Sequence, residues 1–424
     1  MSSATDITGT IAAGLARRHR RERRFRAYGV AALLFSGLML AVLLVTIIRP
    51  GMQGFTRHEL RLEIDTAPFA AILRDHPEQM DFYAHTNTML RSMAGGVLDK
   101  VERQQLYRLI GFFSADTVKK QVMRAPQQWP DAVTVWIPLS DNADQLLKGH
   151  IDRTLDAALR PLNDRQIAWL DAWQQQGRIR SSFNWDFFSH GDSRAPEAAG
   201  FGGAVVGSLL TLLICLVLAF PVAIMAAITL EEFARKSRAA EWLEITINNL
   251  AAVPSIIYGL LGLSVFLQLF GMPRSSALVG GLTLAILILP VMIIAARASI
   301  RAVPPSMRAA ATALGATRLQ VVRHHVLPYA LPGIMTGTIL SICRALGETA
   351  PLLMIGMVAF VADIPRGVSD PATVMPVEIY LWASSPELGF VEKTSTAIMV
   401  LLVILLLLNV AAIRLRNASQ KTWN

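Results

Sequence analysis

Two full charges stand in one of the most apolar stretches of the sequence. In CRALGETAPLL, residues 343–353, Arg344 and Glu348 lie four apart, so on a helix they share a face. Inside a membrane an ionisable side chain costs about 2.5–3.5 kcal/mol on insertion scales, which makes it a functional candidate. An arginine's planar fork matches the oxygens of an oxyanion. Glu348 can hold that fork when no anion is present and compete with an anion that arrives. Thr349 and Ser341 are candidates to line the same path. The competing reading is a buried structural pair that ties this helix to a neighbour. Simple helix support is a poor motive, since Arg before Glu is the less favourable order at this spacing. Charge is nearly absent from the other apolar stretches.

Those stretches are membrane-length. The chain of 424 residues is 53% hydrophobic and 17% charged, where a soluble protein carries about 25% charged residues. Apolar runs of roughly 20 residues, enough to cross about 30 Å of hydrocarbon, occur near 28–48, 203–230, 247–270, 277–296, 331–361 and 394–413. The fold class expected is an α-helical polytopic membrane protein with six spans. Arg344 falls about 13 residues into the fifth, or roughly 20 Å at 1.5 Å per residue, past the bilayer centre.

Lys/Arg placement orients the chain. Seven arginines lie between Arg17 and Arg26, and with the loops after spans two and four and the tail they make 18 Lys/Arg on one side. The other side, apart from one long insertion, has Arg49, Arg274, Arg366 and Lys393. Both termini are therefore expected in the cytoplasm, with a basic segment 1–27, a first span 28–48 and a tail 416–424. The net charge of +9 then reports topology rather than nucleic-acid binding. The first span ends in IIRPGMQGF without a small-x-small cleavage site, so an uncleaved anchor is expected. The only cysteines, Cys215 and Cys343, fall inside spans, so no disulfide is expected in the exported part.

Residues 49–199 read as a periplasmic insertion with 17 Lys/Arg against 19 Asp/Glu over 51–199. HELRLEID alternates like a half-buried strand, and VTVWIPL (133–139) is a second β-rich run. ADQLLKGHIDRTLDAALRPL and DRQIAWLDAWQQQ have helical spacing, with Asp164 placed to cap the second. A small α+β domain follows. His58, His76, His85, His150 and His190 lack metal-ligand spacing, and Trp136, Trp169, Trp173 and Trp185 suit a core better than a binding platform.

Between 299 and 333, Pro304 and Pro305 end the incoming helix, Ser306 can cap a new one, Gly315 can close it, and Thr317 can start another that stops before Pro328. Two short helices with a glycine elbow are expected at the cytoplasmic surface. Ala309, Ala310 and Ala311 make the first narrow enough for close approach by a partner, and Arg308, Arg318 and Arg323 supply charge. The residues alone leave an amphipathic connector on the headgroups equally open.

This loop resembles the coupling motif of ABC import permeases: Glu-Ala-Ala, three residues, Gly, nine residues, Ile-x-Leu-Pro. Ala310, Ala311, Gly315, Leu327 and Pro328 match in register, while Ala309 and His325 stand in place of the Glu and Ile. Further stretches, GIMTGTILSICRALGETAPLL (333–353), NNLAAVPSIIYGLLGL (248–263) and LEEFA (230–234), resemble the phosphate transport permease (PstA) family over roughly 200–415. The resemblance implies a permease core at 200–415 with an ATPase-docking loop at 300–328. It also implies a second permease subunit (PstC-like), a dimer of ATPase subunits (PstB-like) and a periplasmic phosphate-binding protein (PstS-like), in the bacterial inner membrane. The insertion departs from that family.

There is no G-x-x-x-x-G-K-[ST] and no Gly-Lys pair in the chain, so a P-loop is excluded and energy must come from a partner. No enzyme activity and no cofactor are expected. Asn417-Ala-Ser419 matches a glycosylation sequon on the wrong side of the membrane, by coincidence. Two rival functions share parts of this pattern. One is a sister sulfate or molybdate permease. The other is a membrane sensor using the insertion, which lacks a cytoplasmic output module.

Overall fold

The computed structural model describes residues 7–67, 80–124, 132–234, 237–358 and 360–419; His76 lies outside them. In chain order the helices and strands are α1 (Ile7–Gln53), β1 (Thr56–Asp65), α2 (Phe82–Ala94), α3 (Lys100–Tyr107), α4 (Ser114–Arg124) and β2 (Ala132–Pro138). Next come α5 (Asp141–Leu147), α6 (Asp164–Gln175), β3 (Ile179–Phe183), α7 (Asp186–Ser189), α8 (Gly202–Ile228) and α9 (Arg238–Ala251). The remainder are α10 (Ser255–Gly262), α11 (Ala277–Arg301), α12 (Pro305–Ala313), α13 (Arg318–Val321), α14 (Leu327–Gly347), α15 (Ala350–Met354), α16 (Met375–Ala383) and α17 (Leu388–Ser419).

Among the described residues five helices are long and apolar enough to cross a membrane, and a sixth span forms if α9 and α10 count together. That pair bends by 99° at Pro254, which cannot donate to the helix ladder and pushes Val253 out of helical geometry. Apolar residues face outward along the spans: Leu33 is 75% and Leu213 58% exposed, as a lipid solvent permits. The core helices are held close by glycines. A Cβ on Gly281 of α11 would meet the Ile214 Cβ of α8 at 2.6 Å, and one on Gly337 of α14 would collide with Ala295. Cys343 donates to Asn409 at 2.9 Å and ties α14 to α17.

The insertion folds on a three-stranded antiparallel sheet of order β2-β1-β3. Leu60, Leu62 and Ile64 are fully buried while Arg61 and Glu63 are not, so the alternation in HELRLEID sets one face of β1 against the helices. Leu62 sits opposite Val135 and Leu60 opposite Ile137. Trp169 and Trp173 fill the core, whereas Trp185 is 71% exposed and Trp136 lies beneath the Arg180 guanidinium, 3.9 Å from the ring centre.

Three local expectations are corrected. RIRSSF supplies a third strand, β3, which has little apolar alternation and pairs only because β1 offers a free edge. The stretch 143–162 is not one helix: α5 ends at Leu147 and a single 3-10 turn, Ala157–Leu159, follows, because Gly149 takes a positive φ of 81° and Asp156 caps the turn. Helix α6 is capped by Asn163, in a capping box with Gln166, and Asp164 is its first residue.

The insertion is locked to α17 through buried ions. Lys148 Nζ lies 2.7 Å from both Asp144 Oδ2 and Glu392 Oε1 and donates to the Thr56 carbonyl at 2.8 Å. Gln145 donates to Glu392 Oε2 at 2.7 Å, and His58 bonds Asp144 at 2.8 Å through both its backbone N–H and Nδ1. Burial alone would raise the Asp144 carboxyl, but His58 and Lys148 outweigh it and hold it low. Burial likewise opposes the charge on Lys148, which Asp144 and Glu392 raise above the ordinary lysine value.

Asp141, in the same joint, accepts from Gly389 N at 3.1 Å. Burial pushes its carboxyl up to about 6, against the Gly389 bond and with help from Glu197. A raised folded-state pKa means that the native joint holds a proton which the opened joint releases. Its stabilisation is therefore full below the ordinary carboxylate value and lost as pH rises through 6. Hydrogen exchange across α5 is expected to speed up between about pH 4 and 6 after correction for intrinsic rates, and Asp141→Asn to flatten that change while keeping the acceptor for Gly389. Glu378, 1% exposed on α16, does not titrate in that window. Burial and then Asp192 push its carboxyl up to about 9.

Candidate functional site

The helix carrying Arg344 begins earlier and ends sooner than its hydropathy suggests. It runs without interruption from Arg318 through a π-helical turn, Val322–Val326, to Gly347. Glu348 then takes an extended backbone, φ −77° and ψ 122°, and α15 starts afresh with Pro351 in its first turn. The apolar run 331–361 is thus a span followed by a break, not one span. Arg344 and Glu348 sit at that break.

Arg344 Nε lies 3.4 Å from Glu348 Oε1, with the side chains 45% and 17% exposed. The pair is not buried inside this chain, as the expectation of a buried pair required. It lies on an open face beside the α10–α15 contact, where Gly259 meets Pro351 and Met354 closely enough to exclude a Cβ. Thr349 is half-buried at the break, and its carbonyl accepts from Leu352 and Leu353. Ser341 departs from the expectation. It is fully buried and donates to the Gly337 carbonyl at 2.9 Å, so although helix spacing puts it near Arg344, within this chain its hydroxyl does not open onto the exposed face. An arginine half open to its surroundings and partnered by a single long contact can exchange Glu348 for an anion at small geometric cost.

At the opposite end of the bundle from the sheet, α12 presents Ala309, Ala310, Thr312, Ala313 and Leu314 outward, Leu314 at 90% exposure. Ala311 is buried against the bundle. Gly315 adopts φ 85°, the left-handed geometry that closes the helix, and Thr317 caps α13 in a box with Gln320. Pro305 itself opens α12 after Pro304, so Ser306 lies inside the helix and does not cap it. Leu327 and Pro328 continue into α14 instead of ending a separate surface helix, with the π-helical turn Val322–Val326 immediately before them.

Arg308 is committed within the chain. It bonds Glu232 Oε1 at 2.8 and 3.0 Å and the carbonyls of Val303 at 2.6 Å and Ile300 at 2.9 Å. It positions α12 and is not a free docking charge, whereas Arg318 and Arg323 are exposed. Beside it, Glu231 bridges Arg297 at 2.6 Å and Arg301 at 2.9 Å, and Glu244 of α9 reaches Arg297 at 2.9 Å. These ions close the end of the bundle behind α12. Sequence reading did not find this network. Its only signals were the paired acids in LEEFA and the four-residue spacing of Arg297 and Arg301. An Arg308→Ala chain is expected to show faster amide exchange over Pro305–Ala313, only partly repaired by Arg308→Lys because an ammonium lacks the fork.

Among the described residues no group of three or more His, Cys, Asp or Glu side chains is arranged to hold a metal ion. His58, His150 and His190 instead pair with Asp144, Gln145 and Asp186.

Residues 219–422 match the family described as "Binding-protein-dependent transport system inner membrane component", and residues 12–157 match a "Domain of unknown function (DUF3333)". The "Phosphate transport system permease protein PstA 1" of Mycobacterium tuberculosis is 33% identical over 221 residues, which are 52% of this chain and 71% of that protein. The "Phosphate transport system permease protein PstC" of Pasteurella multocida is 33% identical over 222 residues, 46% of this chain and 67% of that protein. Among solved structures, an inward-facing MetNI methionine ABC transporter aligns with a TM-score of 0.41 at 17% identity, covering 52% of this chain and 95% of that one. The family match over 219–422 spans the Arg344–Glu348 break and the α12 loop, and by it and the PstA relative the chain belongs to the binding-protein-dependent transport system inner membrane components, as a PstA-like ABC importer permease.

Proposed function

We propose that this chain carries inorganic phosphate inward through a path completed by a second, PstC-like permease, driven by ATP hydrolysis on a PstB-like subunit pair. The observation that carries the reading is the Arg344–Glu348 pair. It sets a guanidinium fork, of a shape that can grip two oxygens of an anion, beside a competing carboxylate at a helix break on an open face of the bundle. A neighbouring permease covering that face would enclose the arginine and strengthen its hold on an anion, since the local dielectric falls. Phosphate is favoured among oxyanions by the similarity to the PstA and PstC phosphate transport permeases. In this reading the termini and the α12 loop face the cytoplasm, where Ala310, Ala311 and Leu314 meet the ATPase, and residues 49–199 lie in the periplasm with a PstS-like binding protein. Domain limits of 49–199 and 200–415 follow from it.

The experiment is uptake of labelled phosphate by cells lacking this chain, with and without its restoration, in the presence of excess sulfate or molybdate. Restored uptake that neither competitor reduces is the expected result. Competition by sulfate or molybdate would assign a sister oxyanion instead. No restored uptake with the partner subunits present would remove the transport reading.

A further inference from the structure

The insertion carries an exposed group of aromatic rings that the transport reading does not use. Phe55, Phe183 and Phe188 stack nearly parallel, with ring centres 6.0–6.2 Å apart, and Trp185 packs on Phe183 at 4.8 Å. The outer members are open, Trp185 at 71%, Phe183 at 44% and Phe188 at 38% exposure. Asn184 N donates to the Phe55 carbonyl at 2.8 Å, which fixes the two chain segments to each other.

The position of these rings is set by the spans. Phe55 follows the last residue of α1, Gln53, after a single glycine. On the other side, Phe188 touches Phe187 at 5.1 Å, and Phe187 stacks at 5.7 Å on Phe201, the residue that immediately precedes span α8. The cluster is therefore framed by the exit of one span and the entry of the next. It is also continuous with an apolar surface, since Ile48 and Met52 at the end of α1 are 43% and 56% exposed. The most apolar part of α1 is nowhere buried within the chain, so lipid is its solvent. Trp, whose ring carries one polar tip, collects where hydrocarbon meets headgroups, which suits Trp185; the purely apolar Phe rings beside it would be an association hazard if left open to water.

We propose that Phe55, Phe183, Trp185 and Phe188 form a membrane-interface anchor that seats the edge of the insertion's sheet in the lipid headgroup layer. The occupant of this surface is the bilayer itself. The anchor holds the β3 edge down beside α1, while the Lys148–Glu392 joint holds α5 against α17, so the insertion is fastened at two separated points.

The test uses the full chain reconstituted in phosphatidylcholine–phosphatidylglycerol vesicles. Trp185 emission is obtained as the difference between the unaltered chain and Trp185→Phe. The expected result is that this component loses most of its intensity when brominated phosphatidylcholine replaces the ordinary lipid. Iodide, present on both sides of the membrane, is expected to leave it unchanged. Quenching by iodide with indifference to brominated lipid would overturn the anchor and make the surface water-facing. Indifference to both would overturn it as well, because protein would then cover the rings. Phe188→Trp in the Trp185→Phe background repeats the measurement from the other end of the cluster.

Discussion

A chain with Arg344→Met is expected to reach the membrane in normal amount and to lose phosphate uptake. Removing one partner of an enclosed, hydrogen-bonded charge contact costs about 2–5 kcal/mol, so uptake at limiting phosphate should fall by about 30-fold or more. Arg344→Lys should recover only part of it, since a point charge cannot grip two oxygens at once. Glu348→Gln should act with the other sign on binding. Without the competing carboxylate only 3.4 Å from Arg344 Nε, phosphate is held more tightly and released more slowly, so the half-saturating concentration and the maximal rate fall together. Initial uptake rates over a range of phosphate, normalised to the amount of chain in the membrane, separate these outcomes. Undiminished uptake with Arg344→Met would reduce the pair to a strut at the helix break.

The second large effect belongs to the joint between insertion and core. Lys148 and Glu392 are each less than a tenth exposed. Lys148→Met leaves Glu392 with Gln145 and the more distant His150, 3.8 Å away, and leaves Asp144 to His58. Breaking a buried ion pair from one side costs about 3–5 kcal/mol, which should open α5 and speed its hydrogen exchange by 10²-fold or more, on the scale of about 1.4 kcal/mol per tenfold. Lys148→Met combined with Glu392→Gln should recover much of that loss, because the second change removes the uncompensated charge that the first creates. Mass-spectrometric exchange over Asp141–Leu147 in the three chains forms the cycle. Losses that simply add would mean the two groups do not sense each other.

This joint also marks a boundary in what sequence reading can reach. Lys148, Asp144 and Glu392 are ordinary charges in the sequence. Lys148 and Glu392 are 244 residues apart, and no spacing rule links them. They become a buried network only when α1 leans on α17 and brings Thr56 and Thr396 to the same end of the bundle. The same holds for Glu231, Arg297, Arg301 and Glu244, which come from three helices.

Within the candidate site the division falls inside a single segment. That Arg344 and Glu348 belong together was legible, because a helix brings residues four apart to one side. That Ser341 does not join them was not legible. Helix spacing puts it on the side of Arg344 and Glu348, and only the packing around α14 buries it. The break at Glu348 was hidden by an apolar run that continues past it, since hydropathy measures burial in lipid and is blind to a change of chain direction. Exposure of the pair was hidden too. The face that carries it is open within this chain.

What the sequence by itself determined are the features governed by short-range physics and composition. These are membrane spans from unbroken apolar length, the β1 alternation from the two-residue period of a strand, the Gly315 closure from its freedom at positive φ, and the motif register from Ala310 to Pro328. What only the tertiary structure decided are the features that need two distant segments at once: the third strand, the ion networks at both ends of the bundle, the commitment of Arg308 to Glu232, and the aromatic edge beside α1. The physical reason is that a hydrogen bond, an ion pair or a stacked ring depends on distance in space, and a one-dimensional pattern reports that distance only over the few residues within which the backbone geometry is regular.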